Sequence, residues 1–375
     1  MAIRVGSLIT AITAGLAFAA PIGASTGWKI VPVPGDGEAM AAVSCYTTTT
    51  CVGVSMGSSQ VSLSNDGGRT WLARRGPTFA RLGFTSLTCD ARGGCVATAI
   101  AGTTVPSGAI VAASYDGGRH WRELFLKRAG ENLRYRFNDV WCDAQVHCLV
   151  AGTNGTKGFV FVTRDRGRTW SAATLPAQPA QASLAAVACP RPTVCLATQA
   201  ARAQVYRSLD AGRTWRALAV PSSFAPLLTE RGVVTGVTAI SCGSPTFCVA
   251  GGYIAHTQLQ STTEPFKWVT TDGGRSWYFD QPFAVTGAKS PAAISTGAIA
   301  CVLPRICTLG VSYGNLYSTH DAGASWARDV SAPPLDSNVL SLSCPSASQC
   351  VASVISNFPS QHFLRGSIWV HIKSP

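Results

Sequence analysis

Fourteen of the 375 residues are cysteines, and they fall in seven pairs of one spacing. The pairs are Cys45/Cys51, Cys89/Cys95, Cys142/Cys148, Cys189/Cys195, Cys242/Cys248, Cys301/Cys307 and Cys344/Cys350, each C-x5-C, with none left over. Zinc sites prefer closer spacing and four ligands converging on one ion. Seven isolated pairs are instead expected to be disulfides, each stapling a short hairpin turn in an oxidising compartment. Each bridge closes a short loop, about 2 kcal/mol by loop entropy. The cysteines therefore carry structure, and no metal or other cofactor is expected.

Carboxylates are the next residues that could do chemistry. Glycoside hydrolysis needs two of them flanking one bond. Of 18 acidic residues, six belong to a repeat described below, and the remaining candidates are Glu131, Asp139, Glu230, Glu264 and Asp280. Nothing in their spacing pairs them. His256 and Ser261 show no nucleophile elbow or triad pattern. The enzyme reading thus lacks support in the residues, and catalytic residues are expected to be none.

Binding chemistry is better represented. The net charge is +12, and 24 of the 30 basic residues are arginine. Guanidinium groups suit carboxylates, phosphates and sulfates because they donate two parallel hydrogen bonds. Lysine-rich blocks of the nucleic-acid type are absent, so no nucleic-acid partner is expected. One segment, Lys127 to Asp139, interleaves Lys127, Arg128, Arg134 and Arg136 with Tyr135 and Phe137. With Arg81 and Lys157 from neighbouring loops it forms the candidate anion or glycan site: Arg81, Lys127, Arg128, Arg134, Tyr135, Arg136 and Lys157.

These residues need a frame, and a second repeat supplies it. Ser64-Asn65-Asp66-Gly67-Gly68-Arg69-Thr70-Trp71 recurs around Asp116, Asp165, Asp210, Asp272 and Asp321 as [ST]-x-D-x-G-x-[STH]-W. A seventh, worn copy is read at Gly366 and Trp369. The motif resembles the Asp-box (BNR) repeat of β-propellers, and the resemblance covers the whole mature chain. An aspartate accepting backbone N–H bonds, a glycine of permissive φ and a tryptophan opening the next strand make a folded turn. A calcium loop would need further acidic ligands and a distal Glu, which are missing. The six aspartates are therefore expected to be structural.

The resemblance implies an all-β, seven-bladed β-propeller with one C-x5-C disulfide per blade. Each module reads as strand A, cysteine turn, strand B, loop, strand C, Asp box and strand D. Strand alternation puts disulfides and Asp boxes on one face and the loops of 100–109, 127–138, 218–238, 252–267 and 279–297 on the other. The last blade has two candidate D strands, Trp28–Pro32 and Ile368–Ile372.

Among relatives by motif, sialidases need an arginine in R-I-P ahead of the first Asp box, and no arginine lies between Arg4 and Arg69. Pro304-Arg305-Ile306-Cys307 lies in a cysteine turn and lacks the second proline. The chain more closely resembles the photosystem II stability/assembly-factor type of propeller, a non-enzymatic binder with an Arg patch; its cysteines depart from that pattern. That resemblance implies a scaffold binding a protein or acidic glycan on the face opposite the disulfides, with a sialidase-like hydrolase as the alternative. Residues 1–24 read as a signal peptide (Arg4, the apolar run Leu8–Ala20, and small residues at Ala19 and Ala24) and 25–375 as the propeller. A monomer without a transmembrane segment, secreted or periplasmic, is expected.

Overall fold

A computed structural model describes residues 27–35, 37–80, 83–101, 108–127, 135–143, 147–257, 262–280, 296–329, 337–356 and 365–372. These form seven four-stranded antiparallel sheets. In the first, strands Met40–Cys45, Cys51–Ser55, Val61–Ser64 and Leu72–Arg74 follow one another from inside to outside, and the next five blades repeat this order. The A strands (Met40–Cys45, Phe84–Cys89, Arg136–Cys142, Leu184–Arg191, Val233–Cys242, Thr296–Leu303 and Ser337–Ser346) touch in turn, the last beside the first. The chain is thus a seven-bladed β-propeller.

All seven disulfides form at the expected pairs, and no described cysteine is free. In six blades the two cysteines sit opposite or beside each other at the end of the A–B hairpin, as Cys45 faces Cys51 in blade 1. The second cysteine of each pair then faces, across the B–C ladder, the Ser or Thr that starts the Asp box: Cys51 with Ser64, Cys195 with Ser208, Cys307 with Thr319. Disulfides and Asp boxes therefore share one face of the disc. Gly67 N–H donates to the Thr49 carbonyl of its own cysteine turn, and Gly117, Ala211, Gly273 and Ala322 repeat the bond.

Closure of the ring corrects two expectations. Ile368–Ile372 belongs to strand C of the last blade (Arg365–Ile372), and Trp28–Pro32 supplies strand D by pairing with it, Trp28 opposite His371. Trp369 is not an Asp-box tryptophan. It sits two residues before the box position, where blades 3 to 6 carry Phe161, Tyr206, Trp268 and Tyr317, and it is wholly buried. His371 faces Cys350 where the other blades have Ser or Thr, so the seventh blade has no box and Trp28 takes the place of its tryptophan. Trp28 stacks on His371 at 5.4 Å and donates its indole N–H to Asp329 Oδ2 at 2.8 Å.

The core lies between blades. The glycine two residues after each box aspartate packs on the preceding blade: a Cβ on Gly212 would come within 2.5 Å of Leu149 Cδ2, and its φ is +83°. Among the described residues no helix is long and apolar enough to cross a membrane.

Candidate functional site

Three places hold polar or charged groups that the fold leaves available: the axis, the loop end of blade 3, and the disulfide face between blades 4 and 5.

Around the axis, every A strand carries a β-bulge at one position, for example between Phe84 and Ser86 and between Phe137 and Asp139. The extra residues, Ala41, Thr85, Asn138, Ala185, Thr238, Gly297 and Leu340, line an axial cavity of 330 Å³. A strands face the axis with one free edge, whose N–H groups need partners. Side chains of the neighbouring blade provide them. Three residues before the first cysteine, Ser86 accepts from Val140 N–H, Asp139 from Val187 N–H and Ser341 donates to and accepts from Val43. One residue before it, Ser44, Ser241 and Ser343 accept from Cys89, Cys301 and Cys45 of the next blade.

Asp139 is the one ionisable group among the residues lining this cavity. Its Oδ1 accepts from Ser86 Oγ at 2.7 Å and its Oδ2 from Val187 N–H at 2.9 Å. Burial raises its pKa to about 6, with the Val187 and Ser86 bonds opposing the rise. The sequence reading grouped Asp139 with the loop-face acids; its place in strand A, three before Cys142, is the signal for the axis.

The other acids are dispersed. Asp280 pairs with the buried Lys267 at 2.7 Å. Glu264 lies in strand C of blade 5 (Thr262–Thr270) and Glu230 in the segment entering its strand A. The supposed loop over 252–267 is largely an extended hairpin, Cys248–His256 with Thr262–Thr270, and 218–238 holds a short 3-10 turn at Ala225–Leu228 and the start of a strand. Among the described residues no group of three or more His, Cys, Asp or Glu could hold a metal. Glu131 and Ser261 lie outside the described residues.

The six Asp boxes are built alike. In the first, Ser64 Oγ bonds Asp66 Oδ1 at 2.8 Å and accepts from Gly68 N–H, while Asp66 accepts from Thr70 N–H and Thr70 Oγ1 at 2.9 and 2.6 Å. Asp165 and Asp321 are held at about 2, chiefly by the hydroxyls of Thr169 and Ser325. Arg69 and Arg119 fold back to the carbonyls of Asp66 and Asp116, so these arginines fasten their own turns.

That shared architecture, with six boxes and seven blades, decides the class. The chain is a seven-bladed β-propeller that carries six Asp boxes. The family described as photosynthesis system II assembly factor YCF48 matches residues 95–255. A solved YCF48 bound to D1 peptide superposes with a TM-score of 0.62 at 14% identity, covering 93% of this chain and 98% of that one. YCF48 from Cyanidioschyzon merolae gives 0.61 at 15% identity, over 92% and 98%. A GH74 xyloglucanase from Xanthomonas campestris gives 0.57 at 16% identity, over 90% of this chain and 55% of that one. No curated protein matches the sequence. At these identities the likeness shows the propeller fold, which hydrolases and binders share.

At the loop end of blade 3 of this propeller, Arg136 opens strand A and faces Thr153, which faces Gly158 on strand C. Lys157 precedes Gly158, so the two basic residues lie about 10 Å apart by strand spacing. Both are exposed, and neither is ion-paired among the described residues. The Asn154 side chain accepts from Thr156 and Lys157 N–H and fixes the turn that presents Lys157. Tyr135 is half-buried, its ring 5.7 Å from Phe159, and so anchors the segment to the blade. Lys127 ends strand D of blade 2 (Arg122–Lys127), and its side chain, like Arg81, Arg128 and Arg134, lies outside the described residues.

A group the sequence reading missed sits on the disulfide face of blade 4. Arg207, on strand C (Gln204–Ser208), is only 6% exposed and faces Arg216 of strand D in register. The residue preceding the box in the other blades is Leu63, Ala113, Val162, Val269, Ser318 or Val370. Aligning the seven modules on their box serines would have singled out Arg207.

Proposed function

We propose that this propeller is an exported, non-catalytic scaffold that binds an acidic segment of a protein partner on the face opposite the disulfides and Asp boxes. The observation that carries the reading is the exposed pair Arg136 and Lys157, which a three-strand row presents with no carboxylate paired to either among the described residues. Arg81, Lys127, Arg128 and Arg134 belong to the same reading and would widen the basic surface. Seven disulfides suit an oxidising compartment outside the cytoplasm, and the leader-like residues 1–24 supply the route. The peptide named with one YCF48 structure makes a peptide ligand a natural choice for the scaffold.

The test is titration with fluorescent peptides rich in Asp and Glu, beside sialylated and sulfated glycans, at low and physiological salt. An acidic peptide should bind and weaken with salt, since the Debye length falls to about 8 Å. The double variant R136A/K157A should bind about tenfold more weakly, from charge-assisted bonds worth ~0.7 kcal/mol each at exposed positions. Its melting temperature should stay put, as exposed substitutions move stability by roughly 0.5 kcal/mol. Undiminished binding by the variant refutes the site. Turnover of a fluorogenic sialoside that is lost in E230Q or E264Q would replace the scaffold reading with the hydrolase.

A further inference from the structure

Blades meet at the disulfide face through one recurrent slot. In several blades the residue before the box position receives the glycine-rich turn of the following blade, alone or with its strand-B neighbour, whereas Gly167 of blade 3 meets Leu124 on strand D of blade 2. Gly118 of blade 2 rests on Val52 and Leu63, Gly212 of blade 4 on Leu149 and Val162, and Gly68 of blade 1 on Val351 and Val370. These contacts are small, apolar and dry.

Blade 4 breaks the rule. Gly274 of blade 5 rests on Leu196, but beside Leu196 the slot holds Arg207. Its Nε donates to the Gly273 carbonyl at 3.2 Å, and its Nη groups bond to none of the described residues. Among the described residues no ion pair reaches it. Burial first, then the charges of Arg216 and Arg275, lower its pKa, yet a guanidinium remains protonated throughout the physiological range. A buried charge without a counterion is costly, and a like charge directly opposite on the next strand adds to the cost.

The neighbours deepen the imbalance. Arg216 comes from strand D of the same blade (Arg216–Ala217), Arg191 from its cysteine turn and Arg275 from the box of blade 5, all three exposed. Each acts electrostatically on Arg207, as does one carboxylate, Asp272. That carboxylate is engaged in its own turn by Ser276 and Thr270. Four positive charges thus converge on a slot with one committed negative charge.

We propose that blades 4 and 5 share an oxyanion site on the disulfide face, in which Arg207 at the base and Arg191, Arg216 and Arg275 around the mouth hold a sulfate or phosphate group. A tetrahedral dianion fits the charge count better than a carboxylate. It offers acceptor oxygens in several directions, to donors arriving from two strands, a hairpin turn and the adjoining blade, whereas a carboxylate offers two oxygens in one plane. The site lies on the opposite face from the partner surface proposed above, and either stands without the other.

Calorimetric titration of the full propeller with sodium sulfate and with potassium phosphate, in chloride buffer of matched ionic strength, tests it. Saturable binding is expected for the wild type. R207L, which restores the residue of blade 1, should lose at least tenfold in affinity while melting higher in the absence of the anion. R216Q, an exposed change that leaves the slot intact, should lose several-fold. Sulfate stabilises proteins generally through exclusion from their surfaces, so in melting experiments the excess shift of wild type over R207L is the readout. A parallel titration with a monosaccharide sulfate and a monosaccharide phosphate separates the sources. Binding of the inorganic ions assigns a free-ion site, and binding of the esters alone assigns a group carried by a larger ligand. Absence of saturable binding for all four probes, or equal affinities in wild type, R207L and R216Q, overturns the proposal.

Discussion

Replacing Asp139 with Ser should remove a specific pH dependence from the stability of the propeller. Serine already stands at the equivalent place in blades 2 and 7, where Ser86 and Ser341 bridge to the next A strand, so the variant keeps a bridge to Val187. In the wild type, burial lifts the Asp139 pKa from 3.8 to about 6. A raised carboxyl pKa means that the fold favours the protonated form. The corresponding stabilisation is therefore complete below about pH 4 and is lost as pH rises through about 6. At ~1.36 kcal/mol per pH unit the gap amounts to about 3 kcal/mol. Asp139 is only half-buried beside the 330 Å³ axial cavity, and solvent screening brings the expectation to about 1–2 kcal/mol. With ~2.1 cal/mol/K of unfolding entropy per residue over roughly 350 residues, that is about 1–3 °C in melting temperature. Thermal unfolding of both proteins across this range gives a difference curve, wild type minus variant, that should fall between about pH 4 and about pH 7. The Asp-box carboxylates, five of them held at about 2, titrate below this window and cancel in the subtraction. A flat difference curve, or one that rises with pH, would refute the axial assignment.

Three further outcomes follow from the same geometry. Non-reducing digestion and mass spectrometry should find seven bridges, each within one blade, and replacing one pair such as Cys189/Cys195 with Ala should cost about 2 kcal/mol in chemical denaturation. Gly212→Ala, at φ +83° and against Leu149, should destabilise by about 1–3 kcal/mol, whereas Gly37→Ala, with open space around it, should cost less. Trp28→Ala should cost about 3–5 kcal/mol and lower the melting temperature without altering the disulfide count, because the lost contacts are those closing the ring.

Cysteine and Asp-box spacing made the blade count, the bridges and the shared face legible, because each motif is a local turn whose partners lie within about twenty residues. Closure was not legible in the same way. Trp369 mimics a box tryptophan in sequence, and only the pairing of Cys350 with His371 shows that it lies in strand C. Asp139 was counted among loop acids because the segment before it reads as a continuous loop, and only its distance of three residues from Cys142 marks it as part of strand A. Arg207 was hidden for another reason: the blade-5 groups that meet it, Arg275 and Gly273, lie more than sixty positions away in the chain. Of the candidate binding residues, Arg136 and Lys157 lie at one end of blade 3, while Tyr135 packs its ring against Phe159.

The strand that completes the last blade also fixes the order in which the molecule can assemble. Every disulfide joins residues six apart, so oxidation can lock each hairpin as soon as it emerges, with no help from the rest of the chain. Nothing covalent spans the seam. Trp28–Pro32 is made first and has to wait for Arg365–Ile372, about 340 residues later. Bringing such distant ends together carries an entropic cost of roughly 5 kcal/mol from the length dependence alone. Until then the chain is an open arc with two unpaired sheet edges, the state most exposed to strand exchange with a second copy. Refolding of the oxidised protein should accordingly end in a slow, concentration-sensitive step, while the blades behind it are already formed.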